Sequence, residues 1–355
     1  MPPLHRVTIK EIAAMTGVSV QTVSRVLNKR PDVSPATRQL VEAAIEEHGF
    51  RPNAVARSLV NRRSRMLGVI ASGLEYLGVG QTVTGIADEA EASGYSIILK
   101  ELAGFDAPDI VPVIELLLEH RVEGIIFAGP QMVSNVRHVQ EQLPAARPQI
   151  VFLKSDPSPD FTTIGIDNIA AGRLATEHLV ALGRRRIAHL AGPLDWREAR
   201  DRRDGWLAAL ADSGLHAGPV ATGDWFAGSG VTALEAILDE APETDGLFAA
   251  SDLMALGAIQ VAHRRGIRIP DDLAIVGFDG LQEAAHFTPS LTTVVQPLTE
   301  MGRAAVRELV TGFAGGAGET PAPVRTLVLP TTLIYGESAP ALVAPSVGGR
   351  PGPGA

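Results

Sequence analysis

Gln21, Ser24, Arg25 and Asn28 are hydrogen-bonding residues that recur three and four positions apart, a spacing that gathers them on one side of a helix. Val23, Val26 and Leu27 form the opposing apolar face, so the stretch pairs a buried side with a polar side that fits a DNA groove. Ser19 can cap this helix at its start. Just upstream, Thr8 and Glu11 have capping-box spacing for an earlier helix that Gly17 breaks. Two short helices joined by a tight turn make a helix-turn-helix. Ser34 and Pro35 open a third helix that runs through Thr37, Leu40, Val41, Ala44 and Ile45 to a stop at Gly49.

The elements beyond this head change character. Residues 53–60 have an asparagine cap and helix-forming residues over only about two turns, which is marginal for an isolated helix. Asn61 to Arg65 form a basic joint. Strands then alternate with amphipathic helices. Met66 to Ala71, Tyr95 to Leu99, Val122 to Phe127, Ile150 to Leu153, Arg186 to Ala191 and Ala274 to Val276 read as strands. Helices are expected over 81–93, 170–182, 199–213, 231–239 and 252–265. This rhythm predicts an α/β body of two doubly wound sheets whose ligands sit at strand C-terminal ends.

Charge divides the same way. The net charge of −9 hides 11 Lys/Arg against 5 Asp/Glu in residues 1–65, and 20 against 35 in the remaining 290. A basic head on an acidic body suits phosphate neutralisation at one end only. Cysteine is absent from the 355 residues, which excludes disulfides, thiolate metal sites and cysteine catalysis. No apolar run reaches membrane-span length and no secretory segment follows the first basic residues, so the expected location is the cytoplasm, at the nucleoid. A sugar-binding transport component would need export and has no use for a DNA-binding head. An enzyme is the other alternative, but there is no two-histidine metal spacing, no Gly-x-Ser-x-Gly elbow and no P-loop. Gly78 and Gly80 lie after a strand, yet Val83 occupies the third position of a dinucleotide fingerprint. No catalytic residue, metal or cofactor is therefore assigned.

Over residues 7 to about 337 the chain resembles the lactose and galactose repressor family. The resemblance is carried by Val18–Asn28, Arg51–Leu59, Glu177–Gly183, Ala250–Gly257, and Val276–Asp279 with Leu291–Pro297, in the family's order. It implies a helix-turn-helix domain over 1–52, a hinge helix and linker over 53–65, and an effector-binding and dimerisation domain over 66–337. A disordered tail over 338–355 completes this division. It further implies a homodimeric transcription repressor on a near-palindromic double-stranded operator, with Val20, Gln21 and Arg25 at base-reading positions. Arginine suits guanine, glutamine suits adenine, and Val20 offers apolar contact. Thr8, Ser19, Ser24, Asn28, Ser34 and Thr37 match phosphate-holding positions. Asn53, Ala56 and Leu59 match the hinge helix, with Leu59 as the wedge that kinks DNA in the minor groove.

For the body, the resemblance implies a periplasmic-binding-protein-like pair of subdomains around a small effector, expected to be a sugar. A sugar phosphate or a purine is the alternative. Ser72, Tyr76, Arg121, Trp196, Arg200, Trp225, Ser251, Asp252, Asp279 and Gln296 are the residues it places at that cleft. Departures from the lactose repressor include Ser251 for an asparagine, Lys154 for an acidic residue and Leu298 for an aromatic ring. The tail lacks the leucine heptads of the family's tetrameric variant, which leaves a dimer as the expectation.

Overall fold

The computed structural model describes residues 7–50, 63–104, 110–129, 148–154, 157–313 and 323–342. The chain divides into two compact units, Met1–Arg65 and Met66–Ala355. In the first, α1 (Ile9–Thr16) carries the expected capping box, with the Thr8 amide donating to Glu11 Oε2 at 2.7 Å. Gly17 ends it at a φ of 67°, a left-handed conformation that glycine adopts without strain. Ser19 caps α2 (Val20–Leu27) by accepting from the Thr22 amide, and Ser34 caps α3 (Pro35–Glu47) in the same way. Ile12, Ala13, Val23, Val26, Val41 and Phe50 close one small core beneath the three helices.

The second unit holds two six-stranded sheets. The first is built from β1 (Met66–Ser72), β2 (Ser96–Leu102), β3 (Gly124–Phe127), β4 (Gln149–Leu153), β5 (Thr162–Ile166) and β11 (Thr326–Leu329), in the order β11-β5-β4-β3-β1-β2 and parallel throughout. The second is built from β6 (Ile187–Ala191), β7 (Val220–Thr222), β8 (Gly246–Ala249), β9 (Ala274–Asp279), β10 (Thr292–Val295) and β12 (Thr332–Ile334). Its order is β12-β10-β9-β8-β6-β7, and only the edge strand β12 runs antiparallel. Each sheet therefore reverses its strand order beside its first strand, which is where an open α/β sheet opens a crevice.

Three crossovers join the two subdomains: one after β5, one between β10 and the following helix, and one between β11 and β12. Helices cover the sheets in closely packed pairs. These are α4 (Leu77–Ala92) with α10 (Leu298–Phe313), α6 (Asn168–Ala181) with α7 (Arg197–Asp212), and α8 (Ala227–Glu240) with α9 (Asp252–Arg264); α5 (Val111–Glu119) packs beside the first sheet. Each pair is locked by reciprocal glycines. A Cβ on Gly85 or Gly302, Gly172 or Gly205, Gly230 or Gly257 would collide with a backbone carbonyl of the facing helix. The helix axes can approach this closely only because those side chains are missing.

The strands and helices expected within the described residues are present, with two extensions that matter, and the expected hinge helix lies outside those residues. β9 continues past Val276 to Asp279, and α4 starts at Leu77 rather than 81. The body also runs further than expected. Ser338 and Ala339, placed in the tail by the sequence, are fully buried. Ser338 Oγ donates to the Ile275 carbonyl at 2.7 Å and accepts from the Thr292 amide, so these residues stitch β9 to β10. Among the described residues no helix is long and apolar enough to cross a membrane.

Candidate functional site

Burial of Val23 and Val26 sets the orientation of α2 and leaves Val20, Gln21, Arg25 and Asn28 exposed, with Ser24 half-buried. Asn28 is tied to its own helix through a bond to the Ser24 carbonyl at 2.8 Å. Arg25 lies 3.4 Å from Asp32, and with both side chains about half exposed (46% and 53%) the pair holds the arginine only weakly. Thr8, Ser19 and Ser34 stand exposed at three helix N-termini, where backbone N–H groups favour an anion; Thr37 is half-buried beside Ser34. Asn53, Ala56 and Leu59 fall outside the described residues.

Between the two sheets lies a cavity of about 350 Å³ whose walls come from the loops after strand C-termini. Tyr76 follows β1, Lys154 follows β4, Trp196 follows β6, Trp225 follows β7, Ser251 follows β8, Asp279 ends β9 and Gln296 follows β10. Four rings meet in three pairs across this space, two of them edge to face. Tyr76 stands 5.1 Å from Trp196 and 5.4 Å from Phe226, and Trp196 stands 5.6 Å from Trp225. Trp225 lies directly over Gly192, where any side chain would strike the indole. Its Nε1 is buried with no hydrogen-bond partner among the described residues. An apolar ring face with an unused N–H is a ready surface for a sugar, whose C–H groups stack while a hydroxyl accepts.

The charged floor centres on Arg202, which is 4% exposed. Its Nε donates to Asn168 Oδ1 at 3.0 Å, its Nη1 donates to the Ala250 carbonyl at 2.7 Å, and its guanidinium stacks 3.8 Å from the Phe278 ring centre. Burial lowers its pKa, and Asp279, Glu198 and Asp201 oppose that shift. Burial likewise pushes the Asp279 carboxyl up, against Arg202 and a 2.6 Å bond from Gln296 Nε2. Lys154, also desolvated, is pulled below the usual lysine range while Glu198 counters. Burial raises the Tyr76 phenol, aided by Glu75, Asp224 and Asp195, so it remains a neutral donor. Three lining cations, Lys154, Arg197 and Arg202, face four carboxylates, Asp167, Glu198, Asp201 and Asp279. Lys154, Trp225 and Asp279 also supply three of the six positive-φ non-glycine residues among those described, a concentration of backbone strain typical of ligand-holding loops.

Six of the ten expected cleft residues line this cavity: Tyr76, Trp196, Trp225, Ser251, Asp279 and Gln296. The other four do not. Ser72 ends β1 buried against Gly129. Asp252 is fully buried behind the wall, where its carboxylate accepts from Thr293 Oγ1 and from the Gly280 and Leu281 amides. Arg121 precedes β3, at the opposite end of the sheet from the cleft. Arg200 turns back to donate to the Leu194 and Asp195 carbonyls. The arginines of this helix that do line the cleft are Arg197 and Arg202, and only Arg202, two positions on from Arg200, is buried in its floor. Helical spacing holds the signal for it: Glu198, Arg202 and the fully buried Trp206 repeat every four residues and share one face of α7.

A helix-turn-helix head on a two-subdomain α/β body with a polar, aromatic cleft defines a ligand-controlled DNA-binding transcription regulator. Comparison with known proteins agrees. Residues 8–53 match the family described as bacterial regulatory proteins, lacI family, and residues 176–339 match the periplasmic binding protein-like domain. The HTH-type transcriptional regulator CelR of Thermobifida fusca is 38% identical over 355 residues, covering 94% of this chain and 98% of that protein. A crystal structure of the lac repressor dimer bound to operator and the anti-inducer ONPF has a TM-score of 0.82 at 33% identity, covering 95% of this chain and 100% of that one. A transcriptional regulator CelR–cellobiose complex has a TM-score of 0.67 at 34% identity, covering 94% and 100%. The chain belongs to the lacI family of bacterial transcription regulators.

Proposed function

We propose that this chain is a cytoplasmic repressor, not an enzyme, that binds a near-palindromic operator as a homodimer and is controlled by a carbohydrate in the body cleft. Val20, Gln21 and Arg25 read bases in the major groove, and Thr8, Ser19, Ser24, Asn28, Ser34 and Thr37 hold phosphates. Asn53, Ala56 and Leu59 form the hinge contact in the minor groove. Tyr76, Trp196, Arg202, Trp225, Ser251, Asp279 and Gln296 hold the effector, while Asp252 fixes the loop that carries Asp279.

One observation carries the sugar reading: the partnerless indole N–H of Trp225 shares a cavity with Arg202, Asp279 and Gln296. Stacking plus charge-assisted hydrogen bonds is the combination a polyol uses. A ligand moves the operator equilibrium only through different affinities for the two body conformations, so it must be felt by both subdomains. The test is a thermal-shift screen of mono- and disaccharides on the full chain, followed by operator titration with and without the hit. A carbohydrate that raises the melting temperature and shifts operator affinity, with both effects lost in Trp225→Ala, is the expected result. Stabilisation by purines alone would overturn the reading.

A further inference from the structure

Two charged residues in the cleft close no side-chain hydrogen bond or ion pair among the described residues. Glu198 sits in the first turn of α7, in the second subdomain, only 7% exposed, and its Oε2 is buried with no hydrogen-bond partner among the described residues. Lys154 faces the same cavity from the first subdomain, where it follows β4 with a φ of 55°. Its ammonium lies beside α4, 3.5 Å from where a Cβ on Gly78 would stand. The two charges influence each other, yet among the described residues no ion pair closes between them. A desolvated carboxylate with an unused oxygen is costly, and a bound ligand is what would repay it.

We propose that Lys154 and Glu198 are the specificity-determining pair of the effector site, gripping an uncharged, hydroxyl-rich ligand from opposite subdomains and turning away anionic sugars. This rests on the carbohydrate reading of the cleft. A hydroxyl can accept from an ammonium and donate to a carboxylate at the same time, and vicinal hydroxyls can serve both partners together. A fully ionised phosphate can do only the first. It would bring negative charge into a cavity where carboxylates already outnumber cations, with both Glu198 and Asp279 acting on Lys154. Arg202 keeps only Nη2 for a ligand, because Nε and Nη1 already donate to Asn168 and the Ala250 carbonyl and the Phe278 face covers the guanidinium, which leaves one donor for a hydroxyl and no fork for an anion. The lysine alone would advertise a phosphate site; the unpartnered glutamate opposite reverses that reading. Because the pair spans the cleft, a ligand that joins both residues also ties the two subdomains together.

Calorimetry on the full-length chain tests this, with glucose, galactose, ribose, cellobiose and lactose as neutral probes and glucose 6-phosphate as the anionic one. The wild type should bind at least one neutral sugar ten times or more tighter than glucose 6-phosphate. Lys154→Met and Glu198→Gln should each weaken that sugar at least tenfold, with melting curves showing that both variants fold. Glu198→Gln should also narrow the gap to glucose 6-phosphate, and Lys154→Met should widen it. Unaltered neutral-sugar affinity in both variants, or a wild-type preference for glucose 6-phosphate, overturns the pair's role while leaving the carbohydrate reading standing. Binding of no carbohydrate of either kind overturns that reading as well.

Discussion

Arg25 and Arg202 are the helix-borne arginines proposed to meet the two ligands, and they are held in opposite ways. Arg25 is 46% exposed and restrained by one long ion pair to Asp32. Arg202 is 4% exposed, bonded at two nitrogens and stacked on Phe278. The first arrangement suits a partner that brings its own dense charge, since a duplex can order a loosely held side chain through counterion release and base-edge bonds. The second suits a small ligand, which has too few atoms to organise its site and must find the hydrogen-bonding groups already fixed. The head separates its chemistry from its core; the body builds its chemistry out of its core.

That contrast predicts where stability and function part. The largest effect is expected at Asp252, whose carboxylate takes a hydroxyl and two amide donors within 2.9 Å and so anchors the loop after β9. Asp252→Ala strands all three in a dry interior and should cost the body about 3–5 kcal/mol, read as a fall in the urea midpoint. A loss under 1 kcal/mol would mean water reaches the site and the body's network is no tighter than the head's. Next comes Arg25→Ala, expected to weaken operator binding by about 1–3 kcal/mol per half-site and to move stability by less than about 0.5 kcal/mol. Mobility shifts on operator and scrambled DNA give the first number and melting gives the second. An equal loss on both DNAs would make Arg25 a phosphate contact.

The same contrast explains what was legible in the sequence. In the head, caps, turn glycine and apolar face all lie within a few residues of each other, so Thr8, Glu11, Gly17, Ser19, Val23 and Val26 determine each element locally. Strands β1, β3, β4 and β6 were equally plain as apolar runs. β5, β8 and β10 were not, being short runs of four or five residues, and β7, β11 and β12, of three or four residues, carry exposed positions and depend on a neighbouring strand for their existence. Ser338 and Ala339 look like tail and become core only through β9 and β10. In the cleft, the family resemblance pointed to Trp225, Asp279 and Gln296, whereas choosing among the arginines of α7 required knowing which face of that helix is buried.

The smallest expected effect follows from that choice, and it bears on the comparison most directly. Arg200 and Arg202 are two residues apart on one helix, so their side chains diverge by roughly 200° and cannot both enter the cleft. Arg200 donates only to the carbonyls of Leu194 and Asp195, on the loop that leads into its own helix. Arg200→Ala should therefore cost about 0.5–1.5 kcal/mol of stability through the lost loop bonds and leave sugar affinity within about threefold of wild type. Arg202→Met keeps length and packing while deleting the guanidinium, and should abolish the operator response to ligand. Calorimetry and operator titration on the two variants decide the matter. If Arg200→Ala silences the response and Arg202→Met does not, the working face of α7 is turned by half a helix, and the body, like the head, recognises its ligand with a loosely held arginine.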